Sequence, residues 1–341
     1  MKILAKCVLL GIILFPVYFF WRRDAPVPGA APAAPADTAT ASADSLSSFG
    51  ASVRPGTRLV NTLVALRWKL RLWRESRLNH PDDSTDCDQL LQEMLALVRD
   101  DNVAAIVAAL SPADLNTLFG LAALHHWMQL DPLSATCWLA SRPDANEVEN
   151  LAVADDWVRQ PAGLQDCLAQ LPASEWKQNF MGDVGAEMSV HDPAAAVKLA
   201  RQMDPGSAQI NLFRTVSCNW VGTDPQAAFQ WVNSVTDPAL RTQLVAATAQ
   251  SYALTDPVQA ANWMVSSISS GALMNDTALN IVKTWAAQNP AQAADWVSDF
   301  PAGSVKAAAV QTVAGYWVHT DRDAANAWVQ NTPVEPASPA N

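Results

Sequence analysis

Histidine and carboxylate side chains are the groups of this chain best suited to proton transfer or metal binding. The histidines lie at residues 80, 125, 126, 191 and 319. No H-E-x-x-H pattern occurs among them, although zinc hydrolases use that spacing to bring two imidazoles to one helix face. The adjacent His125 and His126 would point to different faces of a helix. These positions favour hydrogen bonding at the surface or between repeats over metal binding.

Two carboxylates could cleave a glycosidic bond, with one acting as the acid and the other as the base or nucleophile. Glutamate is rare, and many of the aspartates precede helices, where they are expected to act as caps. The pair that remains is Asp155 or Asp156 with Glu187. The sequence also lacks G-x-S-x-G, a glycine-rich phosphate loop and G-x-G-x-x-G. We therefore predict that the protein is not an enzyme and has no cofactor or metal.

The cysteines lie at residues 7, 87, 137, 167 and 218, and no two of them form a C-x-x-C pair. The spacing gives no indication of a zinc site. Whether Cys87, Cys137, Cys167 and Cys218 form disulfides stays open, because free cysteine is also commonly buried.

The elements that would position these side chains recur along the sequence. A D-P-x-x-A-x-x-W pattern, or a variant of it, starts at residues 101, 131, 160, 192, 224, 256, 289 and 321, so the successive differences are 30, 29, 32, 32, 32, 33 and 32. A period of this size is typical of stacked repeats. Composition agrees with helices, since apolar residues make up 50 %, Gly is scarce and no period-2 alternation is sustained.

Each letter of the pattern has a physical reason. Asp or Asn caps a helix, and Pro fits its first turn. The Ala four residues after the cap and the large residue three further on share one helix face. A second helix follows and ends in an aromatic residue four positions before the next cap. The predicted structural residues are Asp131, Asp192, Asp224, Asp256, Asn289, Asp321, Trp138, Trp231, Trp263, Trp296, Trp328, Trp127, Trp220, Trp285 and Trp317.

The repeated tryptophans allow two interpretations. We expect them to form core ladders between repeats, because each unit of helix, turn and helix cannot bury its apolar faces alone. The alternative is a row of exposed rings on which sugars or peptides stack. That alternative would make the chain a Trp-lined protein that binds or processes cell-envelope carbohydrate.

The D-P-x-x-A-x-x-W run resembles the junction between tetratricopeptide repeats, where an Asp-Pro also opens a helix and a Trp follows six residues after the Pro. The matching pairs are Pro225 with Trp231, Pro257 with Trp263, and Pro290 with Trp296. The period is near 32 instead of 34, and Ser234 and Val235 stand where that family has Leu-Gly. The resemblance covers about residues 101–330 and implies a scaffold that binds protein or peptide partners.

The N-terminus predicts a single transmembrane helix. Residues 7–21 are apolar and uncharged, and flanking Lys6 and Arg22 can snorkel to lengthen a span that is short of the usual ~20 residues. Residues 1–23 are thus a membrane anchor or a signal, and the bulky W-R-R-D that follows favours an uncleaved anchor. The Pro/Ala/Ser-rich residues 24–53 form a tether. These features predict a bacterial inner-membrane protein with a periplasmic repeat domain, although Arg22 and Arg23 pull against this orientation.

Charge divides the chain into a basic head and an acidic body. Residues 1–79 hold 11 Lys/Arg and 4 Asp/Glu, which gives +7, and residues 80–341 hold 11 and 29, which gives −18; the two add to the net charge of −11. An acidic body does not favour nucleic-acid binding. Residues 54–80 predict a basic amphipathic helix, with Leu59, Leu63, Leu66, Leu70 and Trp73 on one face and Arg67, Lys69, Arg71, Arg74 and Arg77 as its charges.

This basic helix has two possible roles. It could lie on an anionic membrane, or it could cap the repeat array with its cations facing acidic residues. The predicted fold is therefore an all-α chain in which the membrane helix, tether and basic helix precede an α-solenoid of helix pairs with a ~32-residue period. The array covers 81–330, and residues 331–341 form a disordered tail.

Overall fold

The computed structural model describes residues 57–79 and 85–332. Within these residues the regular secondary structure is entirely helical, with no strand. The predicted all-α fold is therefore confirmed for this part of the chain. The 18 helices of the described residues are α1 (Thr57–Asn79), α2 (Thr85–Leu95), α3 (Val103–Ala109), α4 (Pro112–Leu115), α5 (Leu118–Leu130), α6 (Pro132–Ala140), α7 (Glu147–Arg159), α8 (Leu164–Gln170), α9 (Glu175–Met188), α10 (Pro193–Ala200), α11 (Ser207–Thr223), α12 (Pro225–Ser234), α13 (Pro238–Tyr252), α14 (Pro257–Ser267), α15 (Ala272–Gln288), α16 (Pro290–Ser298), α17 (Ser304–Trp317) and α18 (Arg322–Asn331).

The contacts divide the chain after Ala173 into two compact units. Unit 1 contains α1 to α8, and unit 2 contains α9 to α18. The division falls inside the predicted 81–330 array. The predicted anchor (1–23) and tether (24–53) lie outside the described residues, as does the predicted tail from residue 333 onward.

Two kinds of helix alternate in unit 2. We call α10, α12, α14, α16 and α18 the A helices, and α9, α11, α13, α15 and α17 the B helices. Successive B helices pack side by side, and each A helix that follows one B helix and precedes another packs on both of them. Unit 1 contains one such group, because α5 and α7 pack together and α6 contacts both. The described helices therefore pack in a repeat-like way.

The Asp or Asn at the start of each A helix has two tasks. The Asp224 carboxylate accepts a hydrogen bond from the Ala227 N–H at 3.0 Å, which caps the start of α12. Its own backbone N–H donates to the Trp220 carbonyl at 2.8 Å and so closes the end of α11. The same pair of bonds occurs at Asp131, Asp192, Asp256, Asn289 and Asp321.

The alanine four residues after each of these caps is buried, so it can serve as a point of close helix approach. Residues of this set are at most 2 % exposed: Ala135, Ala196, Ala228, Ala260, Ala293 and Ala325. A larger side chain at any of these positions would have to displace a packed neighbour.

Side-chain hydrogen bonds also cap the C-terminal end of three A helices. A long polar side chain near the start of the following B helix donates to the carbonyl groups left free where the A helix ends. Gln209 Nε2 donates to the Ala200 carbonyl at 3.0 Å. Arg241 and Lys306 act in the same way, on the carbonyl groups of Val235 at 3.2 Å and Ser298 at 2.8 Å. Each of these residues lies eleven positions before the aromatic that ends its B helix.

The two weakest copies of the pattern depart from this geometry. The helix expected after Gln160 starts later, at Leu164, and its N-cap is Gly163 in the left-handed region with φ of 87°. The helix expected after Asp101 starts at Val103, and the Asn102 side chain bonds back to the Leu97 carbonyl instead of capping it. Asn102 follows Asp101 where the pattern has Pro, and Gln160 precedes Pro161 but is not among the preferred N-cap residues.

Candidate functional site

The acid and base candidates of unit 1 are engaged with one another. His125 on α5 places its Nδ1 2.5 Å from the Asp156 carboxylate on α7, and His126 bonds to Asp100 at 3.0 Å. Burial raises the pKa of Asp156, and the hydrogen bond to His125 opposes that rise. Asp155 forms an i,i+4 ion pair with Arg159. The carboxylate pair considered for glycoside cleavage combined Asp155 or Asp156 with Glu187. The two aspartates belong to unit 1, whereas Glu187 belongs to unit 2.

A buried polar network surrounds Glu149, whose side chain has no exposed surface. Arg142 donates to it at 3.0 Å and Asn146 at 3.1 Å, and the Asn146 side chain also caps α7. Burial raises the pKa of Glu149, and the Arg142 guanidinium partly offsets that effect. The hydrogen bonds from Arg142 lower the pKa of Asp144. Each charged group in the network has a partner of opposite charge, so the network stabilises the turn between α6 and α7.

This network was missed in the sequence, although one signal for it was present. Asn146 and Glu149 stand in the N-x-x-E spacing of a capping box, in which the N-cap and the N3 residue bond to each other. Nothing in the spacing points to Arg142, whose guanidinium also lies 4.9 Å from the ring centre of Trp138.

The repeated tryptophans pair across the junction between a B helix, or its unit 1 counterpart α5, and the following A helix. Ring centroids of paired residues lie 5.6–6.0 Å apart, always at a spacing of eleven residues: Trp127 with Trp138, Trp220 with Trp231, Trp285 with Trp296, and Trp317 with Trp328. The B helix α13 ends in Tyr252 instead of Trp. Here Phe229 of α12 stacks on Trp263 of α14, with ring centroids 4.1 Å apart, and so joins two A helices. The rings thus connect helices within and between repeats.

Burial of these rings varies along the array. Trp127, Trp231 and Trp285 are buried. The remaining repeat tryptophans are half-buried: Trp138, Trp220, Trp263, Trp296, Trp317 and Trp328. Because an aromatic neighbour lies against each ring, a sugar would have to compete for a ring face that another side chain already contacts. This arrangement favours the structural role for the rings.

The basic helix α1 presents two different faces. Leu66 and Leu70 are buried, and α1 packs on α2. Lys69 forms an ion pair with Glu93 at 2.5 Å and lowers the pKa of that carboxyl. Arg74 pairs with Asp114 of α4. This face has the geometry expected of a cap on unit 1.

The remaining cations of α1 lie on its outer face. Arg67 and Arg71 are exposed, and within the described residues Arg71 forms an ion pair only with Glu75 of its own helix. The Arg77 side chain lies outside the described part. Val60, Val64 and Trp68 are exposed beside Arg67 and Arg71. From the sequence, all five cations were assigned together and this second apolar stripe was not singled out, although its i, i+4, i+8 spacing is visible there.

A polar surface runs across the B helices of unit 2. Its members are all exposed and lie opposite the buried side of their helices. This surface, which we call the polar face of unit 2, includes Asn211 and Arg214 on α11, Gln243 on α13, Asp276, Asn280 and Lys283 on α15, and Gln311 on α17. Since the B helices pack side by side, these hydrogen-bonding groups lie on one surface.

Within the described residues, four cysteines are free thiols and no cluster of three or more His, Cys, Asp or Glu side chains could hold a metal ion. Burial raises the pKa of Cys137 and Cys218. No helix in residues 57–79 and 85–332 has the length and apolar character to cross a membrane. Comparisons of the chain with protein-family models, curated proteins and solved structures find no match. The fold therefore assigns the protein to the all-α class with repeat-like helix packing.

Proposed function

We propose that this chain is a membrane-tethered α-solenoid scaffold, similar to tetratricopeptide proteins, whose repeats bind protein or peptide partners outside the cytoplasm. The polar face of unit 2 is the proposed binding surface. The observation that carries the proposal is the side-by-side packing of B helices, of which α11, α13, α15 and α17 present exposed amide or cationic groups.

The chemistry of this face suits an extended peptide. Side-chain amides such as Gln243 and Asn280 can both donate to and accept from a peptide backbone. Arg214 and Lys283 give this face two positive charges and Asp276 gives it one negative charge, so it can form ion pairs with charged side chains of a bound peptide. Small neighbours on the same helices, including Ala247 and Gly315, leave room for a bound chain.

The membrane part of the proposal is supported by the sequence. The apolar residues 7–21 and the Pro/Ala-rich residues 24–53 are the predicted anchor and tether. Such a chain would hold its helical units near the membrane surface while leaving them free to meet partners. The inner membrane of a bacterium, with the repeats in the periplasm, is the proposed location.

Affinity capture with face-specific variants tests the proposal. Gln243→Arg with Asn280→Arg adds two bulky cations to the polar face, and Gln226→Arg with Gln259→Arg adds the same charge on exposed A-helix positions. Tagged full-length chains would be used to capture proteins from a detergent-solubilised envelope extract. We expect one protein or peptide set to be lost from the first variant and kept by the second. Equal capture by both variants, or retention of glycan instead of protein, would reject the proposed site.

A further inference from the structure

We infer that the outer face of α1 lies on an anionic phospholipid bilayer. In this arrangement Val60, Val64 and Trp68 enter the interfacial region, and Arg67 and Arg71 contact lipid phosphates. The inference rests on the membrane tether of the proposed function, and it names the surface that the tethered units touch.

The apolar stripe of this face is unusually open. Val64 is 61 % exposed, Trp68 59 % and Val60 42 %, and the three follow one another by four residues on one side of the helix. Single exposed apolar residues are ordinary on a protein surface. Three in one stripe, on a helix that already buries Leu66 and Leu70 on another side, leave an apolar surface without a partner among the described residues.

Cations alternate with this stripe. Within the described part of the chain, Arg67 makes no ion pair and the only ion-pair partner of Arg71 is Glu75. Beside them a cleft of about 270 Å³ opens between α1 and the turn that joins α3 to α4. Leu63 and Leu110 are among its apolar walls, and Arg67, Arg71 and Arg74 line it as well. Guanidinium groups suit phosphate, since they present several donors in one plane.

Charge and chain order select the lipid as the occupant. A helix with exposed Trp and Val between arginines has the chemistry of an interfacial helix, where apolar side chains enter the headgroup boundary and cations attract anionic lipids. The described chain begins at Thr57, shortly after the predicted tether, so α1 is the first described helix to follow the membrane segment. The apolar residues 7–21 are a poorer occupant, because they contain no anionic group to pair with Arg67 and Arg71.

Photo-crosslinking tests the inference on the full-length chain. Trp68 would be replaced by benzoylphenylalanine, and the protein would be reconstituted into vesicles of phosphatidylcholine alone or with 30 % phosphatidylglycerol. We expect a lipid adduct in the anionic vesicles and an adduct yield about tenfold lower with Arg67→Gln and Arg71→Gln together. A matched variant, Arg201→Gln with Arg322→Gln, removes two exposed cations from unit 2 and should leave the yield unchanged. Circular dichroism would check that each variant stays helical.

The other outcomes overturn the inference in distinguishable ways. If the chain sediments with vesicles of either composition but forms no lipid adduct, the tether stands and the α1 contact fails. A crosslink from position 68 to residues 7–21, to a second copy or to another protein would show that a different occupant covers this face. If the chain does not sediment with any vesicle, the tether of the proposed function fails, and the lipid contact fails with it.

Discussion

The indole rings of Trp220 and Trp231 lie with their centroids 5.9 Å apart and their planes inclined by 26°. Between them in the chain stands Asp224, which ends α11 with its backbone N–H and begins α12 with its carboxylate. The cap fixes the turn, and the two rings pack across it. Because the same spacing joins Trp285 to Trp296 around Asn289, the junction is a repeated structural element.

Removing a cap should destabilise its junction. Asp224→Ala leaves the Ala227 N–H without its side-chain acceptor, so we expect the free energy of unfolding to fall by about 1 kcal/mol. Asp224→Asn should change it by only a few tenths of that, since Asn caps as well as Asp, and Asn289 already holds the equivalent position. Urea denaturation followed by circular dichroism measures both. Equal losses from Ala and Asn would show that charge, and not capping, matters.

Two buried tryptophans should respond differently to replacement by phenylalanine. Trp157 Nε1 donates to the Thr136 hydroxyl at 2.9 Å, whereas the buried Trp285 Nε1 has no hydrogen-bond partner among the described residues. Trp157→Phe therefore loses a bond and leaves Thr136 without that donor, and Trp285→Phe removes an unpaired N–H. We expect Trp157→Phe to destabilise the protein by about 1 kcal/mol more. A larger loss of thermal stability in Trp285→Phe than in Trp157→Phe would contradict the hydrogen bond between Trp157 and Thr136.

Helix α9 contains two glycines that should behave in opposite ways. A Cβ at Gly185 would lie 2.5 Å from Leu212 Cδ2, whereas one at Gly182 would meet nothing within 4 Å. Gly185→Ala should lower the free energy of unfolding by about 1–3 kcal/mol through overpacking between α9 and α11. Gly182→Ala should raise it by about 0.5–1 kcal/mol, because Ala favours a helix. If both substitutions stabilised the protein, α9 and α11 would have to lie further apart than the structure shows.

The buried Asp156 should give the protein a pH-dependent stability. Burial raises its native pKa above the ordinary value of 3.8, so the native state holds the proton more tightly than the unfolded chain. The stabilisation that this provides is present below that ordinary value and is lost as pH rises through the native pKa. Asp156→Asn should remove this part of the pH dependence, and the variant should gain stability relative to wild type as pH rises. Urea denaturation at several pH values measures both. If the free energies of unfolding of wild type and Asp156→Asn changed in parallel with pH, the raised pKa of Asp156 would be contradicted.

The sequence predicted the A helices of unit 2 closely because each carries its own start signal. Asp192, Asp224, Asp256 and Asn289 precede Pro, and all four cap A helices as the cap and Pro preferences require. At Asp101 and Gln160 the helices start later than predicted, although Pro161 follows Gln160. At Asp321, in contrast, the helix starts as predicted although Arg322 stands in the Pro position. Local signals of this kind act over a few residues, so they can be recognised without knowledge of packing.

The contacts between distant residues could not be predicted in the same way. Arg74 pairs with Asp114 forty residues away, and His125 with Asp156 thirty-one residues away. Such pairs depend on which helices pack, which composition and periodicity do not specify. The outer face of α1 was missed for a related reason: two apolar stripes share the helix, and only packing against α2 shows which one is buried.

Crosslinking from two positions of unit 2 tests partner binding most directly. Benzoylphenylalanine would replace Gln243 on the polar face in one full-length chain and Gln259 on A helix α14 in another, and both chains would be irradiated in intact membranes. We predict a specific protein adduct from position 243 that is absent from position 259. Adducts of equal yield from both positions, or none from position 243 while the chain stays folded in the membrane, would contradict a partner-binding polar face.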